Sequence, residues 1–384
     1  MARRRRAARA SRSSCSIVVL DDQPEQARAL LSDLVGVEVL HPQDLGQEHL
    51  LSADLVLVDH QLDDKEWPAR ASQPLACRPM NGVALAGIIR GHLETQMPSG
   101  RRAAVALLSG QLNRLTPGLD APPEHVAARA CGLDWAFDKN GTTLAPLSKR
   151  IAALADGVRR IPDAWDDDLG ADAVRKSVRG LLGLGETRWH ALALAQAERS
   201  HPPIHQLAAW SDGVAFVRWL AQSILAYPTF LVGAHHVAAR LGVRPSWLAP
   251  HLGPNRALEK LLRPARYRGL LHDFLGDRWW LAGLDEIIWK ESAGTVLERD
   301  VIMRWLRRRT RTEPEALDDA STLVVDERFE FTGEVAPFSE CVEVWPDDWP
   351  PYADKPWTTV KRAKDVPRLG AVVAPSGLSR LGAT

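Results

Sequence analysis

The sequence predicts a doubly wound α/β domain near its start, followed by a second part of different, mainly helical character. Short apolar runs alternate with helix-like patterns between residues 17 and 156. Three of these runs are almost continuously apolar, which is typical of strands that are buried on both faces of a parallel sheet. Repeated alternation of strand and helix indicates a parallel sheet with helices packed on its faces.

The predicted elements follow from hydrophobic periodicity. The predicted strands are the apolar runs IVVL (17–20), VEVL (37–40), LVLV (55–58), AVALL (104–108) and DWAF (134–137). Apolar residues at helical spacing form three further sets: Ala27, Leu30, Leu31 and Leu34; Val83, Ala86 and Ile89; and Leu144, Leu147, Ile151 and Leu154. Such spacing brings apolar side chains to one face of a helix.

Shifts in composition divide the chain of 384 residues, which is long enough for two or three domains. Twelve of the fourteen tryptophans lie after residue 160, where helical patterns replace the α/β alternation. The predicted segments are a basic disordered tail (1–15), the α/β domain (16–158), a linker (159–175), a mainly helical effector domain (176–312) and a small strand-containing, proline-rich region (313–384).

Charge and cysteine content exclude several classes of protein. Lysine plus arginine equals aspartate plus glutamate, at 48 each, so no global field favours nucleic acid or a membrane surface. The four cysteines form no CxxC pair, which argues against a zinc ribbon and a disulfide framework and fits a reducing cytoplasm. Because no apolar run approaches roughly 20 residues, and no secretory signal is present, we predict a cytoplasmic protein without membrane contact.

Polar side chains follow four of the predicted strands. Asp21 and Asp22 come after the first strand, Asp59 after the third, Ser109 after the fourth and Lys139 after the fifth. Ligands of parallel α/β sheets bind at this carboxyl edge. Clustered carboxylates repel one another and favour a hard cation such as Mg²⁺. A carboxylate there can also act as a nucleophile toward phosphorus, with the lysine and the hydroxyl stabilising the phosphoryl oxygens.

Each of these residues taken alone has an ordinary structural explanation. An aspartate after a strand is usually a helix cap or a turn residue. A single lysine usually faces solvent, and Ser109 before Gly110 fits a simple turn. The joint placement at successive strand ends is what favours a functional site.

Five motifs in the same order resemble the receiver domain of two-component response regulators. They are VVLDDQ, LVLVDHQL, RPMNGVALAGIIR, ALLSG and DWAFDKN, and the resemblance covers residues 17–156. It implies a flavodoxin-like five-stranded parallel sheet, Mg²⁺ as the cofactor, and a histidine kinase or small phosphodonor as the partner. It also implies roles for six residues: Asp59 as phosphoacceptor, Ser109 and Lys139 as phosphoryl ligands, and Asp21, Asp22 and Asp59 with a main-chain carbonyl of Gln61 as metal ligands.

The chain departs from the receiver pattern in three places. An insert of roughly fifteen residues, at about 63–79, follows the acceptor strand, and a surface loop is the default explanation for it. Asn140 replaces the proline that usually follows the lysine. Ala136 stands at the usual aromatic switch position, flanked by Trp135 and Phe137. The usual conformational coupling between the hydroxyl residue, here Ser109, and an aromatic switch residue therefore lacks the aromatic residue.

The strongest motif of the second half is HHVAARLGVRPSWLAPHL (235–252), which has the pattern of a helix-turn-helix. It predicts DNA contacts by Arg244, Ser246 and Trp247. The alternative is a common helical turn in a protein-interaction or enzymatic effector that does not bind DNA, with the receiver-like part as a switch or phosphate sink. No metalloprotease, hydrolase or Walker motif is present, and phosphotransfer to Asp59 is the one reaction that the motifs predict. A homodimer is left open.

Overall fold

A computed structural model describes residues 15–62, 79, 81–96, 103–116, 122–141, 145–161, 171–203, 213–292, 294, 298–318 and 320–382. The chain divides into two compact units. Unit 1 comprises the described residues of Met1–Leu181, Pro203–Gln222 and Leu270–Gly276. Unit 2 comprises those of Leu182–Pro202, Ser223–Gly269 and Asp277–Thr384.

The elements are numbered in chain order over both units. The strands are β1 Ile17–Leu20, β2 Val37–Leu40, β3 Leu55–Asp59, β4 Ala104–Ser109, β5 Trp135–Asp138, β6 Leu231–Val232, β7 Trp279–Trp280, β8 Ser321–Val325, β9 Phe331–Pro337, β10 Cys341–Glu343 and β11 Trp357–Thr359. The α-helices are α1 Pro24–Leu30, α2 Gln47–Ser52, α3 Gly82–Gln96, α4 Glu124–Ala130, α5 Leu147–Arg160, α6 Ala171–Leu181, α7 Arg188–Arg199, α8 Gly213–Trp219, α9 Ala234–Arg240, α10 Pro245–Leu248, α11 Ala257–Leu262, α12 Leu281–Glu291, α13 Arg299–Thr310, α14 Val360–Asp365, α15 Pro367–Gly370 and α16 Leu378–Leu381.

Unit 1 is built on a parallel sheet whose five strands, in the described part of the chain, have the order β2-β1-β3-β4-β5. Every strand pairing in this sheet is parallel. The predicted parallel α/β sheet is therefore confirmed, and four of the predicted runs coincide with strands or fall one residue short. The fifth strand is shifted by one residue and runs from Trp135 to Asp138.

Burial explains why these apolar runs form the centre of the sheet. Every residue of β1, β3 and β4 is buried, and these three strands are neighbours in the middle of the sheet. In β2, at one edge, Val39 is the buried residue. Strands covered by helices on both faces lose contact with water along their whole length, which is why their sequences are continuously apolar.

Helix α3 follows β3 and packs its apolar face on the sheet. Leu85, Ala86, Ile89 and Leu93 are buried in the core cluster that includes residues of β1, β3 and β4. Their spacing is the helical one that the sequence predicts from Val83, Ala86 and Ile89. One of the remaining predicted helices corresponds to α1, which ends at Leu30, before Leu31 and Leu34. The other corresponds to α5, which begins at Leu147, and Leu144 lies outside the described residues.

Several predicted segments lie wholly or partly outside the described residues. The predicted tail is described at Cys15 and the insert at Pro79. The predicted linker, 159–175, is described at its two ends: Arg160 completes α5, and α6 begins at Ala171.

Unit 1 contains a buried ion pair between Glu124 of α4 and Arg150 of α5. The Nη1 atom of Arg150 lies 3.0 Å from Oε1 of Glu124, and its Nε donates to the main-chain oxygen of Phe274 at 3.2 Å. The guanidinium also stacks on the rings of Phe137 and Phe274. Segment Leu270–Gly276 is thereby held against α5 and β5 within unit 1.

A second buried carboxylate holds another late segment in unit 1. Asp134, just before β5, accepts hydrogen bonds from the main-chain nitrogen of Val105 at 2.7 Å and from Arg218 Nε at 2.8 Å. Gln222 donates to the main-chain oxygen of Leu133 at 2.8 Å. These bonds attach the chain around α8 to the start of β5.

Unit 2 has a mixed secondary structure with short antiparallel strand pairs: β6 with β7, β8 with β9, and β10 with β11. Its largest described core cluster buries Trp247, Trp279 and Trp305 among helices α9 to α13. Trp289, in contrast, is exposed. Among the described residues of both units, no helix has the length and apolar character needed to cross a membrane.

Candidate functional site

The predicted polar residues lie at the carboxyl edge of the sheet in unit 1. Asp21 and Asp22 directly follow β1, and Asp59 and Ser109 are the last residues of β3 and β4. Lys139 directly follows β5. Parallel pairing in register brings these strand ends to one side of the sheet, since Asp59 is paired with Leu108.

The three aspartates form a compact cluster. One carboxylate oxygen from each of Asp21, Asp22 and Asp59 lies within 4.8 Å of the others. The Nζ atom of Lys139 lies 2.8 Å from Oδ1 of Asp59 and 3.9 Å from Oδ2 of Asp21. Asp59 therefore has an ammonium group as its direct partner and two further carboxylates as neighbours.

Burial makes this concentration of negative charge costly. All three aspartates are buried, at 5 to 7% exposure. Burial raises the pKa of Asp21 to about 6, although a hydrogen bond from the main-chain nitrogen of Gln23 opposes the shift. Burial also raises the pKa of Asp59, and the bond to Lys139 partly offsets it. The site therefore favours a further positive charge beside the carboxylates.

The donor set suits a hard divalent cation. The three carboxylates supply oxygen ligands, and Gln61, whose main-chain carbonyl was predicted as a further ligand, lies beside them on the same cleft. Mg²⁺ prefers oxygen ligands and is usually held by one or two carboxylates with water in its remaining positions. Asp21, Asp22 and Asp59 thus offer the kind of oxygen ligands that Mg²⁺ prefers, close enough together to hold one metal ion.

An open cleft of about 900 Å³ lies above the cluster. Asp21, Asp22, Asp59, Gln61 and Lys139 all line it, so the structure brings these predicted residues together. The lining residues that were not predicted from the sequence include His60, Asn81 and Arg114. His60 and Asn81 could have been found from their place beside Asp59 and Gly82, whereas Arg114 lies in a short 3₁₀ turn, Leu112–Leu115, without a sequence signal of its own.

Gly82 is required by the backbone of Asp59. A Cβ atom at position 82 would lie 1.9 Å from the main-chain oxygen of Asp59, well inside contact distance. The main-chain nitrogen of Gly82 donates to the oxygen of His60 at 2.9 Å. Asn81 accepts from the main-chain nitrogen of Ala84 at 3.0 Å and so caps the start of α3. This glycine allows α3 to begin directly against the end of β3.

Ser109 has a different position from the other predicted residues. It is 1% exposed, and the described residues that line the cleft do not include it. Its Oγ lies 3.1 Å from Nδ1 of His60 and accepts from the main-chain nitrogen of Gln111 at 3.0 Å. His60 is buried as well, and burial lowers its pKa. The predicted hydroxyl thus reaches the cleft only through the imidazole of His60.

The predicted DNA-contact residues lie in unit 2 around the turn at Gly242, whose φ of +70° only glycine adopts readily. Arg244 and Ser246 are exposed, but Trp247 is buried in the core cluster of unit 2. Helix α10, which carries Ser246 and Trp247, has four residues. A buried side chain does not suit a contact with bases, because a reading helix must present its side chains to the groove.

Basic residues on α13 are partly neutralised by acidic neighbours. Arg307 pairs with Glu313, and Arg309 lies 3.0 Å from Glu291. The basic run of the sequence therefore does not form a uniformly cationic face.

Comparison with known proteins gives no relative for this chain, since no family model, no curated protein and no solved structure matches it. The chemistry of the site therefore rests on its own residues and geometry.

Proposed function

We propose that this chain is a receiver-type signalling protein that accepts a phosphoryl group on Asp59. The observation that carries the proposal is the Asp59 carboxylate itself, 2.8 Å from the Lys139 ammonium and within 4.8 Å of the Asp21 and Asp22 oxygens. A carboxylate nucleophile, acidic metal ligands and a cation for the phosphoryl oxygens are the groups that aspartyl-phosphate formation requires.

The proposed reaction is a simple displacement at phosphorus. A carboxylate oxygen of Asp59 attacks the phosphorus atom of a phosphorylated histidine or a small acyl phosphate. The bond from phosphorus to the donor breaks, and the donor leaves with the bonding electron pair. Lys139, already bonded to Asp59, stays close to the transferred oxygens and balances their charge. The open cleft leaves room for the donor.

Asp21, Asp22 and Asp59, with the main chain at Gln61, would hold Mg²⁺ in this reaction. When bound, Mg²⁺ reduces the repulsion between the acids and the incoming phosphoryl oxygens. The raised pKa values of Asp21 and Asp59 support this part of the proposal, because they reflect buried negative charge without full compensation.

The order of the sheet supports the finer fold assignment. The order β2-β1-β3-β4-β5 is that of flavodoxin-like doubly wound domains, whose ligands bind at the carboxyl edge beside the first and third strands. Asp21, Asp22 and Asp59 follow or end these two strands.

The test is phosphorylation of the purified full chain. With acetyl phosphate and Mg²⁺, we expect a gain of one phosphoryl group that hydroxylamine removes. The Asp59→Asn variant should not be labelled, and Asp33→Asn, which changes an exposed aspartate outside the cleft, should be labelled as the wild type is. Labelling that persists in Asp59→Asn, or its absence from wild type, contradicts the proposal.

Two observations bear on the role of the effector part of the chain: Trp247 is buried, and α10 has four residues. Both favour a protein-interaction or enzymatic role over DNA binding. A gel-shift titration at low salt tests this choice. We expect no salt-sensitive binding of DNA. A surface that contacts DNA phosphates loses affinity steeply as the salt concentration rises, so salt-sensitive binding would be the sign of such a surface. Salt-sensitive binding that Arg244→Ala weakens would instead support the DNA-binding output. A cytoplasmic location remains part of the proposal.

A further inference from the structure

His60, directly after Asp59, connects a buried hydroxyl to the cleft. Its Nδ1 lies 3.1 Å from Oγ of Ser109, and His60 lines the cleft, whose described lining does not include Ser109. The two residues are 8% and 1% exposed. Water therefore competes little for this hydrogen bond.

The backbone of His60 is fixed on both sides. Its main-chain nitrogen donates to the oxygen of Leu108 at 3.0 Å, and its oxygen accepts from the nitrogen of Gly82 at 2.9 Å. The imidazole is thus presented to Ser109 from a rigid strand end. A rigidly held partner keeps the hydroxyl in one orientation.

The hydrogen-bonding capacity of Ser109 limits what else it can contact. A serine hydroxyl has one proton and two acceptor positions. The main-chain nitrogen of Gln111 uses one acceptor position, and His60 uses either the proton or the second acceptor position. A phosphoryl oxygen on Asp59 needs the proton, directed into the cleft. When the hydroxyl donates to an unprotonated Nδ1 of His60, its proton points at the imidazole and not into the cleft.

We infer that His60 is a positioning residue that holds Ser109 away from the cleft and must release it before Ser109 can bond a phosphoryl group on Asp59. This inference rests on the proposed function. We call the His60–Ser109 hydrogen bond the latch. It lies directly beside the phosphoacceptor, in a domain where Ala136 occupies the usual aromatic switch position.

The test measures Mg²⁺-dependent binding of beryllofluoride, a phosphoryl analogue, to the full chain by calorimetry. The variant His60→Leu keeps the approximate size of the side chain and loses both ring nitrogens. We expect it to bind beryllofluoride about fivefold more tightly, the change that one neutral hydrogen bond of typical net strength produces. His60→Asn, which keeps a polar atom near the position of Nδ1, should bind as the wild type does.

Ser109→Ala supplies the decisive background. If His60 acts through Ser109, the effect of His60→Leu should vanish when Ser109 is already alanine. Affinity for Mg²⁺ alone should be the same in all variants, since the carboxylates are unchanged. An unchanged or weaker affinity in His60→Leu, or an increase that persists with Ser109→Ala, overturns the inference.

Nitrogen NMR of the wild-type protein provides a second test that needs no substitution at His60. Addition of beryllofluoride and Mg²⁺ should move the Nδ1 resonance of His60 to the value found in Ser109→Ala, where the bond is absent. A resonance that stays in place while beryllofluoride binds overturns the latch and leaves the proposed function standing. If beryllofluoride does not bind to the folded wild type, the proposed function fails, and the latch fails with it.

Discussion

The Lys139 ammonium lies 2.8 Å from Oδ1 of Asp59, so the two side chains meet across the end of β4, which separates β3 from β5 in the sheet. The same nitrogen is 3.9 Å from Oδ2 of Asp21. Under the proposed function Lys139 would have two roles: it would bond the phosphoryl group, and it would compete with a bound cation, since ammonium and cation bind the same carboxylates.

Replacing Lys139 by methionine should separate these two roles. We expect Lys139→Met to bind Mg²⁺ several-fold more tightly, because a neighbouring positive charge has been removed. Phosphorylation by acetyl phosphate should fall on the order of a hundredfold, because the phosphoryl oxygens lose a charged donor. Calorimetry and mass spectrometry measure the two effects. Lys149→Met, at an exposed lysine of α5, is the control, and weaker Mg²⁺ binding in Lys139→Met would contradict the role assigned to the lysine.

Gly82→Ala should damage the site through the backbone. The new Cβ would overlap the main-chain oxygen of Asp59, so α3 or the end of β3 must move. We expect a loss of about 1–3 kcal/mol in the free energy of unfolding and a loss of roughly tenfold or more in Mg²⁺ affinity. Urea unfolding and calorimetry give these quantities.

Gly87→Ala is the matched control in the same helix, since no atom lies within 4 Å of its added Cβ. It should stabilise the fold by about 0.5–1 kcal/mol, because alanine loses less backbone entropy than glycine in a helix. Equal effects of the two substitutions would show that the contact with Asp59 has no energetic consequence.

The buried Glu124–Arg150 pair should be far more sensitive than an exposed pair. Arg150→Ala leaves the carboxylate of Glu124 buried at 7% exposure, with donors remaining from Trp135 Nε1 at 3.2 Å and the nitrogen of Asp138 at 2.8 Å. We expect a cost of about 3–5 kcal/mol in the free energy of unfolding. Arg160→Ala, on the same helix and 3.8 Å from Asp156 in a partly exposed pair, should cost less than about 1 kcal/mol.

Replacing both Glu124 and Arg150 by apolar residues of similar size should recover part of the loss from Arg150→Ala, because no buried charge is then left alone. A double variant that is less stable than Arg150→Ala by the full cost of a second buried charge would argue against this explanation. Urea unfolding monitored by tryptophan fluorescence measures both steps.

His236 should make the stability of unit 2 depend on pH. Burial, followed by the positive charges of His235 and Arg278, lowers the pKa of His236 to about 3. In the unfolded chain it takes up a proton near its ordinary value of 6.5, so the unfolded state gains stability as pH falls below that value. By pH 5 the wild type should lose up to about 2 kcal/mol, at about 1.4 kcal/mol for each pH unit.

The measurement compares urea unfolding of wild type and His236→Gln at pH 7.5 and pH 5. The variant should lose less stability between the two pH values, because glutamine does not titrate, while the other ionisable groups affect both proteins alike. Identical losses in the two proteins would mean that His236 is not held neutral in the folded state.

The sequence predicted much of unit 1 because its signals are local. A strand buried on both faces must be apolar at nearly every position, so the spans of β1, β3 and β4 are visible without knowledge of their partners. The cluster of Asp21, Asp22, Asp59 and Lys139 follows from the same signals, since parallel strand ends meet at one edge. The prediction was less accurate for β5, which begins one residue later than expected. The residue before it, Asp134, accepts hydrogen bonds from Val105 and Arg218.

Some relationships could not be predicted because they join residues that are distant in the chain. The contact of Arg150 with Phe274 and that of Asp134 with Arg218 bring late segments into unit 1. Burial of Trp247 likewise depends on helices that surround it in space. No periodicity in a single segment carries this information, because it arises from packing.

By itself, then, the sequence determined which residues form the central strands and which acids stand at their ends, since both follow from local alternation of apolar and polar residues. Three features were decided by the tertiary structure alone. Ser109 forms a hydrogen bond with His60 and does not line the cleft, Gly82 must lack a side chain beside Asp59, and Trp247 is buried in the core of unit 2. Each of these depends on distances of a few ångströms between segments, and such distances are set only when the whole unit packs.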